Sequence, residues 1–439
     1  MIFDSNIPAQ ERINFVFYIM SRFILSAGDY IYLFAVSYFI LYETGSAFYF
    51  SINLAISVVI SLILLPFAGV ISDLGNKRKT IIIGEWLFAS VIIGLFVYTQ
   101  LVEVSLVAIY FTTLLTSLIS PFVSNTFQAA ITEMFHKERI QKIMGYTQSI
   151  LSAVPILGPV LGGVLFGLLG FQGIVIVFMI ATIFSAAINI LIKFDLYYDK
   201  SIYETDDDSV DGAFNKFKRD VGQGFSFLFN SDVFRSTLIT VSLINLFVGP
   251  ISVFPEIMMI VELGFEPETL GFVNALAGIG VLVAGVTIAN MKSFKNPLQQ
   301  VKFGIIILGT LYFIYALPIY IDMQTWMSFV YIAIVGFTII VTLQFINVPA
   351  GIFLQKCIPQ HIKGRALSAF SMFAMSLSPL GTILYGVLYD TGMYAAVNFV
   401  SGAALILVVV LTMRSAVLKR AEALNAQVDK DLIAASEQV

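Results

Sequence analysis

Asp29 is the residue of this 439-residue chain whose placement most directly indicates chemistry. It lies about sixteen residues into a long apolar run, which is ~24 Å along a helix and near the middle of its length. An ionisable side chain at the centre of a membrane helix costs at least ~2.5–3.5 kcal/mol, so it is a functional candidate by default. Desolvation favours the neutral carboxylic acid, and Asp29 is therefore a candidate for binding and releasing a proton. The alternative is that Arg22, two helical turns earlier on nearly the same face, holds Asp29 ionised in a structural pair, and the sequence leaves both interpretations open.

Other polar side chains within apolar runs are candidates for binding a substrate. Amides can hydrogen-bond a polar group of a ligand, and the tyrosines close to Asp29 suit a large amphipathic molecule in an aromatic cavity. Each amide could equally be a packing contact between helices, and Glu256 could belong to an acidic vestibule on the outer side. The predicted substrate-binding residues are Arg22, Tyr38, Asn245, Glu256, Gln344 and Asn347.

A basic loop follows the second apolar run. Its first glycine allows close helix approach, its acid can accept hydrogen bonds from a helix N-terminus, and its second glycine permits a tight turn. The basic trio can pair with acids or with anionic headgroups, although any basic inner loop satisfies the positive-inside rule. Glu85, shortly after the loop, is interpreted as part of the same network. The loop residues are Gly69, Asp73, Gly75, Lys77, Arg78 and Lys79.

The fifth apolar run carries glycines and a proline at helical spacing. Glycines four residues apart let two helices touch backbone to backbone, and proline bends a helix. Taken as chemistry alone, the segment is a packing and kinking device. Its residues are Gly158, Pro159, Gly162, Gly163 and Gly167.

The loop and the glycine–proline helix resemble two motifs of the major facilitator superfamily, its signature loop and its antiporter motif. Segments 26–29 and 358–365 look like the macrolide-efflux and siderophore-exporter branch. The resemblance covers nearly the whole chain. It implies that the loop, through Asp73 and Arg78, acts as a latch holding an outward-open state. It also implies that the glycine–proline helix belongs to an exporter, and that small molecules are exchanged for protons.

Twelve apolar runs of roughly 20 or more residues are long enough to span a bilayer as helices. With both termini inside, all 24 Lys and Arg residues fall on the inner side, as the positive-inside rule requires. The outer turns instead carry acids: Glu43, Glu103, Glu262, Glu266, Glu268, Asp322 and Asp390. The predicted spans are 13–42, 46–72, 80–101, 104–133, 140–168, 171–193, 234–261, 267–290, 299–321, 325–354, 364–389 and 394–414.

A long hydrophilic stretch divides these spans into two halves. It predicts a six-helix bundle over residues 1–194 and a cytoplasmic linker with an amphipathic helix over 195–233. A second six-helix bundle follows over 234–415, with a cytoplasmic tail over 416–439. Pro159 and Pro379, like Gly84 and Gly304, recur at equal spacing in the two halves, which is typical of transporters built from internal repeats.

Composition excludes several classes of protein. The chain is 58% hydrophobic and 12% charged, too little charge for a soluble enzyme or a nucleic-acid-binding protein. One Cys and two His residues are too few for a conventional zinc site, and no phosphate-binding loop for ATP is present. No cofactor and no metal are expected.

We therefore expect an all-α integral membrane protein with the major facilitator fold, multi-pass in the inner (cytoplasmic) membrane of the cell, with cytoplasmic termini. It should be a monomeric secondary transporter rather than an enzyme, exporting amphipathic drug- or macrolide-like molecules by alternating access and proton antiport. Such activity would contribute to multidrug efflux and antibiotic resistance. Its partners would be the substrate, protons and membrane lipids. The alternatives are a lipid or lysolipid flippase on the same fold, a siderophore exporter, and a non-transporting receptor or scaffold.

Overall fold

The computed structural model describes residues 8–74, 76–197, 210–247, 249–292, 294–321 and 323–436, so Gly75 and Asp322 lie outside it. Every regular element in these residues is helical. The chain divides into two compact units, each taking a short segment from the other half of the sequence. The first unit comprises Met1–Glu43, Ile56–Phe217 and Phe265–Ala275, and the second comprises Thr44–Ala55, Lys218–Gly264 and Leu276–Val439.

The first half of the chain forms six helices, and the later part of the linker forms a seventh. A short 3₁₀ turn, Lys137–Arg139, precedes α5. The helices are α1 (Ala9–Thr44), α2 (Ala47–Leu74), α3 (Lys77–Leu101), α4 (Leu106–Met134), α5 (Ile140–Leu151), α6 (Val154–Leu191) and α7 (Val210–Asn230).

The second half is more interrupted, with several short helices. They are α8 (Asp232–Leu246), α9 (Gly249–Ser252), α10 (Phe254–Ile257), α11 (Pro267–Asn290), α12 (Pro297–Tyr315), α13 (Leu317–Tyr320), α14 (Thr325–Cys357), α15 (Lys363–Ser376), α16 (Ser378–Tyr389), α17 (Tyr394–Thr412) and α18 (Ser415–Ser436).

The span count agrees with the prediction once two composite stretches are considered. Within the described residues, ten stretches are long and apolar enough to cross a membrane, or eleven if one bent pair is a single span. One of the ten, Lys137–Leu191, contains two predicted spans, 140–168 and 171–193. The predicted division coincides with Gly170, whose φ of 66° and ψ of −176° break the helix. Large apolar side chains such as Val107 and Leu168 are about three-quarters exposed, as expected for a surface solvated by lipid.

The predicted seventh span, 234–261, is wrong as a single continuous helix. It breaks after α8 and continues as α9, α10 and a π-helical turn over Met258–Glu262. Pro250 and Pro255 cause this, because proline lacks the N–H that would continue the helical hydrogen bonding. The Phe247 carbonyl at the break accepts a hydrogen bond from the Tyr312 hydroxyl at 3.4 Å.

Local capping residues explain where several helices begin. Asn76 accepts a hydrogen bond from the Lys79 backbone at 2.9 Å and begins α3. Ser105 begins α4 in the same way, with its hydroxyl accepting from the Ala108 backbone at 3.2 Å. Such side chains satisfy backbone donors that a helix start leaves without partners.

The internal repeat is visible in how equivalent glycines pack. A Cβ on Gly84 of α3 would collide with Val123 of α4, and one on Gly304 of α12 would lie 2.6 Å from Ile346 of α14. Each glycine therefore permits close contact between the third and fourth long helices of its half. This likeness in packing is the physical basis of the spacing seen in the sequence.

The predicted amphipathic linker helix is α7, and its described part packs on α15. Phe225 and Phe229 each lie 5.9 Å, ring to ring, from Phe373. Arg365 forms an ion pair with Asp220, with Nε 3.2 Å from Oδ1, and donates a hydrogen bond to the Gln223 side chain at 2.7 Å. A bend of 106° separates α7 from α8. Contact of α7 with the membrane surface remains a prediction.

Replacing Gly170 with Ala should destabilise the protein by about 1–3 kcal/mol, because its backbone conformation is essentially restricted to glycine. Gly145→Ala is the matched control, since neither glycine has an atom within 4 Å of an added Cβ and only Gly170 has a positive φ. Thermal unfolding in detergent measures both. Equal melting temperatures for the two variants would contradict the strain at Gly170.

Candidate functional site

A glycine-lined face of α6 lies directly against α1. A Cβ on Gly158 would lie 2.6 Å from Cβ of Tyr30, and one on Gly162 would lie 3.0 Å from Phe34. On the opposing helix, a Cβ on Gly28 would lie 2.8 Å from Ala181. The two helices therefore approach more closely than side chains would permit at these positions.

The close approach of α1 and α6 determines where Asp29 lies. Gly28 is buried against α6, whereas Asp29, one position further round the helix, is exposed. Arg22 is half-buried, with its guanidinium carbon 5.0 Å from the centre of the Phe127 ring. Its charge acts on Asp29, but no ion pair within 4 Å joins the two among the described contacts. Asp29 is thus a carboxyl in the middle of a membrane helix, outside the face of α1 that packs on α6.

Tyr38 belongs to an aromatic cluster on the same helix. Its ring stacks on Tyr42 at 5.7 Å and packs against Phe166 of α6 at 4.9 Å. Its hydroxyl donates to the Phe265 carbonyl at 3.5 Å. The structure therefore gives Tyr38 partners within the first unit and leaves it 6% exposed, which limits the surface it offers a ligand.

The second glycine ridge of α6 faces the beginning of α11. A Cβ on Gly163 would collide with the Pro267 carbonyl, and one on Gly167 would collide with the Glu268 carboxyl. On α11, a Cβ on Gly271 would lie 2.5 Å from the Pro159 carbonyl. These contacts lie within the first unit, which includes Phe265–Ala275.

The basic loop contributes a buried ion pair that the sequence analysis did not identify. Lys77 donates to Glu133 of α4 at 2.6 Å, and the two side chains are 6% and 9% exposed. Arg78 and Lys79 are exposed, and Arg78 contacts the Ile190 carbonyl at 3.5 Å. The side chain of Asp73, like Gly75, lies outside the described residues. Gly69 has open space within 4 Å of an added Cβ.

A second ionic cluster joins the beginning of α1 to the loop before α5. Arg139 donates to Glu11 through Nε at 2.7 Å and through a terminal nitrogen at 2.5 Å. Tyr197 donates to the same carboxylate at 2.5 Å. Burial, and then the bond to Glu11, raise the pKa of Tyr197, so it remains a neutral donor. Sequence analysis missed these residues and Glu133, although Glu133 is an acid at the end of an apolar run and could have been considered on that signal.

The second unit contains a cavity of about 450 Å³, within the range typical of small-molecule sites. Its lining contains no acidic or basic side chain, and its polar groups are amides, a serine and a tyrosine. The predicted residues Asn245 and Asn347 both line it. The full lining is Val241, Ile244, Asn245, Ile251, Tyr312, Leu343, Ile346, Asn347, Ala350, Gly351, Leu354, Gln355, Leu367, Phe370 and Ser371.

The break between α8 and α9 borders this cavity. Asn245 lies just before the break and Ile251 just after it, and both line the cavity. The Asn245 side-chain nitrogen donates to the Val241 carbonyl at 3.0 Å, which leaves its carbonyl oxygen for another donor. Irregular backbone at membrane depth occurs where it is buried in protein or lines a cavity, and discontinuous helices often form transporter substrate sites.

The two other predicted substrate ligands of the second unit lie outside this lining. Gln344 is half-buried on α14, next to Leu343, which does line the cavity. Glu256 is half-buried on α10, where its charge acts on Tyr315. Within the described residues, no group of three or more His, Cys, Asp and Glu side chains could hold a metal ion.

Comparison with known proteins identifies a family and a fold. The sequence profile of the Major Facilitator Superfamily matches residues 18–382. A bacterial homologue of the iron transporter ferroportin in an inward-facing state has a TM-score of 0.70 and 16% identity, covering 92% of this chain and 99% of that one. The peptide transporter POT in complex with sulfate has a TM-score of 0.67 and 11% identity, and the match covers 94% of this chain and 95% of that one. The inward-open xylose transporter XylE from E. coli has a TM-score of 0.62 and 12% identity, and the match covers 92% of this chain and 96% of that one. No curated protein matches the chain.

Lys77→Met should destabilise the protein by about 3–5 kcal/mol, because it leaves the Glu133 carboxylate buried without its cation. Arg235→Met is the control, since its pair with Asp232 is about half exposed and should contribute under about 1 kcal/mol. Lys77→Met combined with Glu133→Met should recover part of the loss. Thermal unfolding in detergent compares them, and equal effects of the two single variants would exclude a stabilising buried pair.

Gly351→Leu should block binding of an uncharged amphipathic fluorescent dye, because the new side chain enters the cavity. An added Cβ at Gly351 meets no atom within 4 Å, so the fold should tolerate the change. Gly285→Leu on α11 is the matched control, equally open but outside the lining. Dye titration of the purified variants measures affinity. Unchanged affinity in Gly351→Leu would remove the cavity as the binding site.

Proposed function

Because the chain belongs to the major facilitator superfamily and is a multi-pass membrane transporter of that type, we propose that it exports amphipathic small molecules in exchange for protons. Transport proceeds by alternating access. The ferroportin, peptide and xylose transporters share the fold at low identity and leave the substrate to be argued from this chain's own residues.

The cavity of the second unit is the observation that carries the substrate class. Its wall is mainly aliphatic and aromatic, with Asn245, Asn347, Gln355 and Ser371 as scattered hydrogen-bonding groups. An uncharged lining does not compensate the charge of a sugar phosphate or a metal ion, whereas it suits a molecule with a large apolar surface and a few polar atoms. Drug- and macrolide-like compounds have this chemistry.

Asp29 is the proposed proton carrier. It combines depth along α1 with an exposed side chain, and a carboxyl that exchanges protons needs both. Arg22 acts on it without a direct ion pair, so its charge can assist release of the proton. Tyr38 and Glu256 are proposed to contribute at the edges of the substrate path, together with Gln344.

The basic loop is proposed to act as the conformational latch, and α6 as the exporter helix. Lys77 is held by Glu133, while Arg78 and Lys79 remain exposed and available to a changing partner. The loop residues Gly69, Asp73 and Gly75 keep the role implied by the motif. The glycines of α6 allow neighbouring helices to lie at contact distance, which favours sliding between two packed arrangements.

The protein is proposed to work as a monomer in the inner membrane, with both termini cytoplasmic. The distribution of Lys and Arg in the sequence supports this orientation. Efflux of this kind would contribute to multidrug and antibiotic resistance.

Reconstitution into liposomes tests the proposed function. A panel of uncharged and cationic drugs, fluorescent lipids and an iron-loaded siderophore is measured with and without a pH gradient. Gradient-driven drug flux supports the proposal. Lipid movement that needs no gradient, with no drug flux, would establish a flippase instead, and flux of the siderophore alone would establish a siderophore exporter.

Asp29→Asn should reduce gradient-driven export at least ~tenfold, because the amide cannot carry the proton. Downhill drug flux without a gradient should persist, since the cavity is unchanged. Glu103→Gln is the control, an exposed carboxyl in an outer turn. Undiminished uphill export by Asp29→Asn would exclude Asp29 as the proton carrier and favour its structural pairing with Arg22.

A further inference from the structure

A second carboxyl, Glu85, is buried in a polar cluster of the first unit that the proposed function does not use. Glu85 of α3 is 3% exposed, and its neighbours Ser21 of α1 and Ser185 and Asn189 of α6 are fully buried. The sequence suggested that Glu85 belongs to the basic loop. In the structure its hydrogen-bond partners are on α6 instead.

The hydrogen bonds to Glu85 converge on one of its two oxygens. Ser185 donates to Oε2 at 3.1 Å, and the Asn189 amide nitrogen lies 2.5 Å from the same atom. The Ser185 hydroxyl is in turn 3.0 Å from the Ser21 hydroxyl. Three helices therefore meet at this carboxyl through side-chain contacts alone.

Two buried oxygens of this cluster have no donor among the described residues. They are Oε1 of Glu85 and Oδ1 of Asn189. Such atoms are rare in folded proteins, and each requires an explanation. One is the second oxygen of the carboxyl, and the other is the second polar atom of the amide that faces it. Both atoms without a donor therefore belong to one pair of groups.

The charges around Glu85 do not supply the missing donor. Arg22 on α1 is the charged group whose field reaches it, without an ion pair within 4 Å. From α6 the groups facing it are Ser185 and Asn189, and neither is ionisable. On α4, Glu133 is paired with Lys77. The carboxyl therefore has no counter-ion in contact.

One added proton completes the hydrogen bonding of the pair. A proton on Oε1 could be donated to Oδ1 of Asn189 while the amide nitrogen donates to Oε2, as in a carboxylic acid–amide dimer. The two ends of an amide are assigned from hydrogen bonding, so the reverse orientation must also be considered. In that case the amide oxygen of Asn189 lies 2.5 Å from Oε2 of Glu85. Two acceptor oxygens at this separation fit an O–H···O hydrogen bond, which again requires a proton on Glu85.

We propose that Glu85 and Asn189 form a proton-binding site in which the neutral carboxylic acid of Glu85 pairs with the Asn189 amide. Binding is a simple proton transfer: an O–H bond forms at Glu85, the proton comes from water, and it returns to water on release. The site itself follows from the geometry of the first unit. Its participation in transport rests on the proposed proton exchange.

Infrared spectroscopy of the purified full-length protein tests the site directly. Wild type should show a carboxylic acid C=O band at neutral pH that disappears in alkaline buffer and is lost in Glu85→Gln. In Asn189→Leu the band should persist but move to higher frequency, because the amide no longer binds the acid. Labelling with a hydrophobic carbodiimide, which modifies protonated carboxyls, should map to Glu85 by peptide mass spectrometry.

Two control variants make the assignment specific. Glu138→Gln removes a carboxyl whose side chain is 85% exposed and should leave the band unchanged. Glu422→Gln removes a second exposed carboxyl, on α18, and should also leave the band unchanged. A band identical in wild type and Glu85→Gln at every pH would overturn the proposal. So would loss of the band on adding NaCl, but not KCl, at constant pH, since that would identify a sodium site.

These measurements need no substrate, so their outcome is independent of transport. An absent acid band would remove the Glu85 site and leave proton-coupled export through Asp29 untouched. The band could titrate as expected while drug flux is the same with and without a pH gradient. That result would refute proton coupling and support the Glu85 site.

Discussion

The close approach of α1 and α6 is the contact on which the first unit depends. It is possible because Gly28, Gly158 and Gly162 leave no side chain between the helices. In a bilayer, helices associate through packing and polar contacts, since lipid is as apolar as their side chains. The same approach brings the Ser21 hydroxyl to Ser185 and fixes which way Asp29 faces. Substituting a bulky residue for one of these glycines would therefore alter both the packing of α1 on α6 and the surroundings of Asp29.

Three carboxyl groups in the apolar part of this protein have different surroundings. Glu133 is neutralised by Lys77 at 2.6 Å, and the pair is buried. Asp29 is exposed, with a cation in range but not in contact. Glu85 is buried, and its hydrogen-bond partners among the described residues are the Asn189 amide and the Ser185 hydroxyl. A carboxyl in an ion pair, a carboxyl near a cation but not in contact with it, and a hydrogen-bonded carboxyl have different affinities for protons.

The sequence could predict the fold because span length, charge asymmetry and glycine spacing are local properties. Even the break at Gly170 was visible as a boundary between apolar runs. The ion pairs of Lys77 and Arg139 could not be predicted, because their partners come from distant parts of the chain. Gln344 and Asn347 show a further limit: both are amides on α14, and only the rotation of that helix decides that Asn347 lines the cavity. The break after α8 was missed because residues 234–261 form one long apolar run, which predicted a single span.

The uncharged lining of the cavity in the second unit has an evolutionary consequence. Its residues can change in size or hydrogen bonding without disturbing an ion pair, because the lining contains no acidic or basic side chain. Asp29, Glu85 and the Lys77–Glu133 pair all belong to the first unit. Under the proposed export function, single substitutions in the lining would change which molecules bind without altering Asp29, the proposed proton carrier. A protein organised in this way can acquire new ligands quickly.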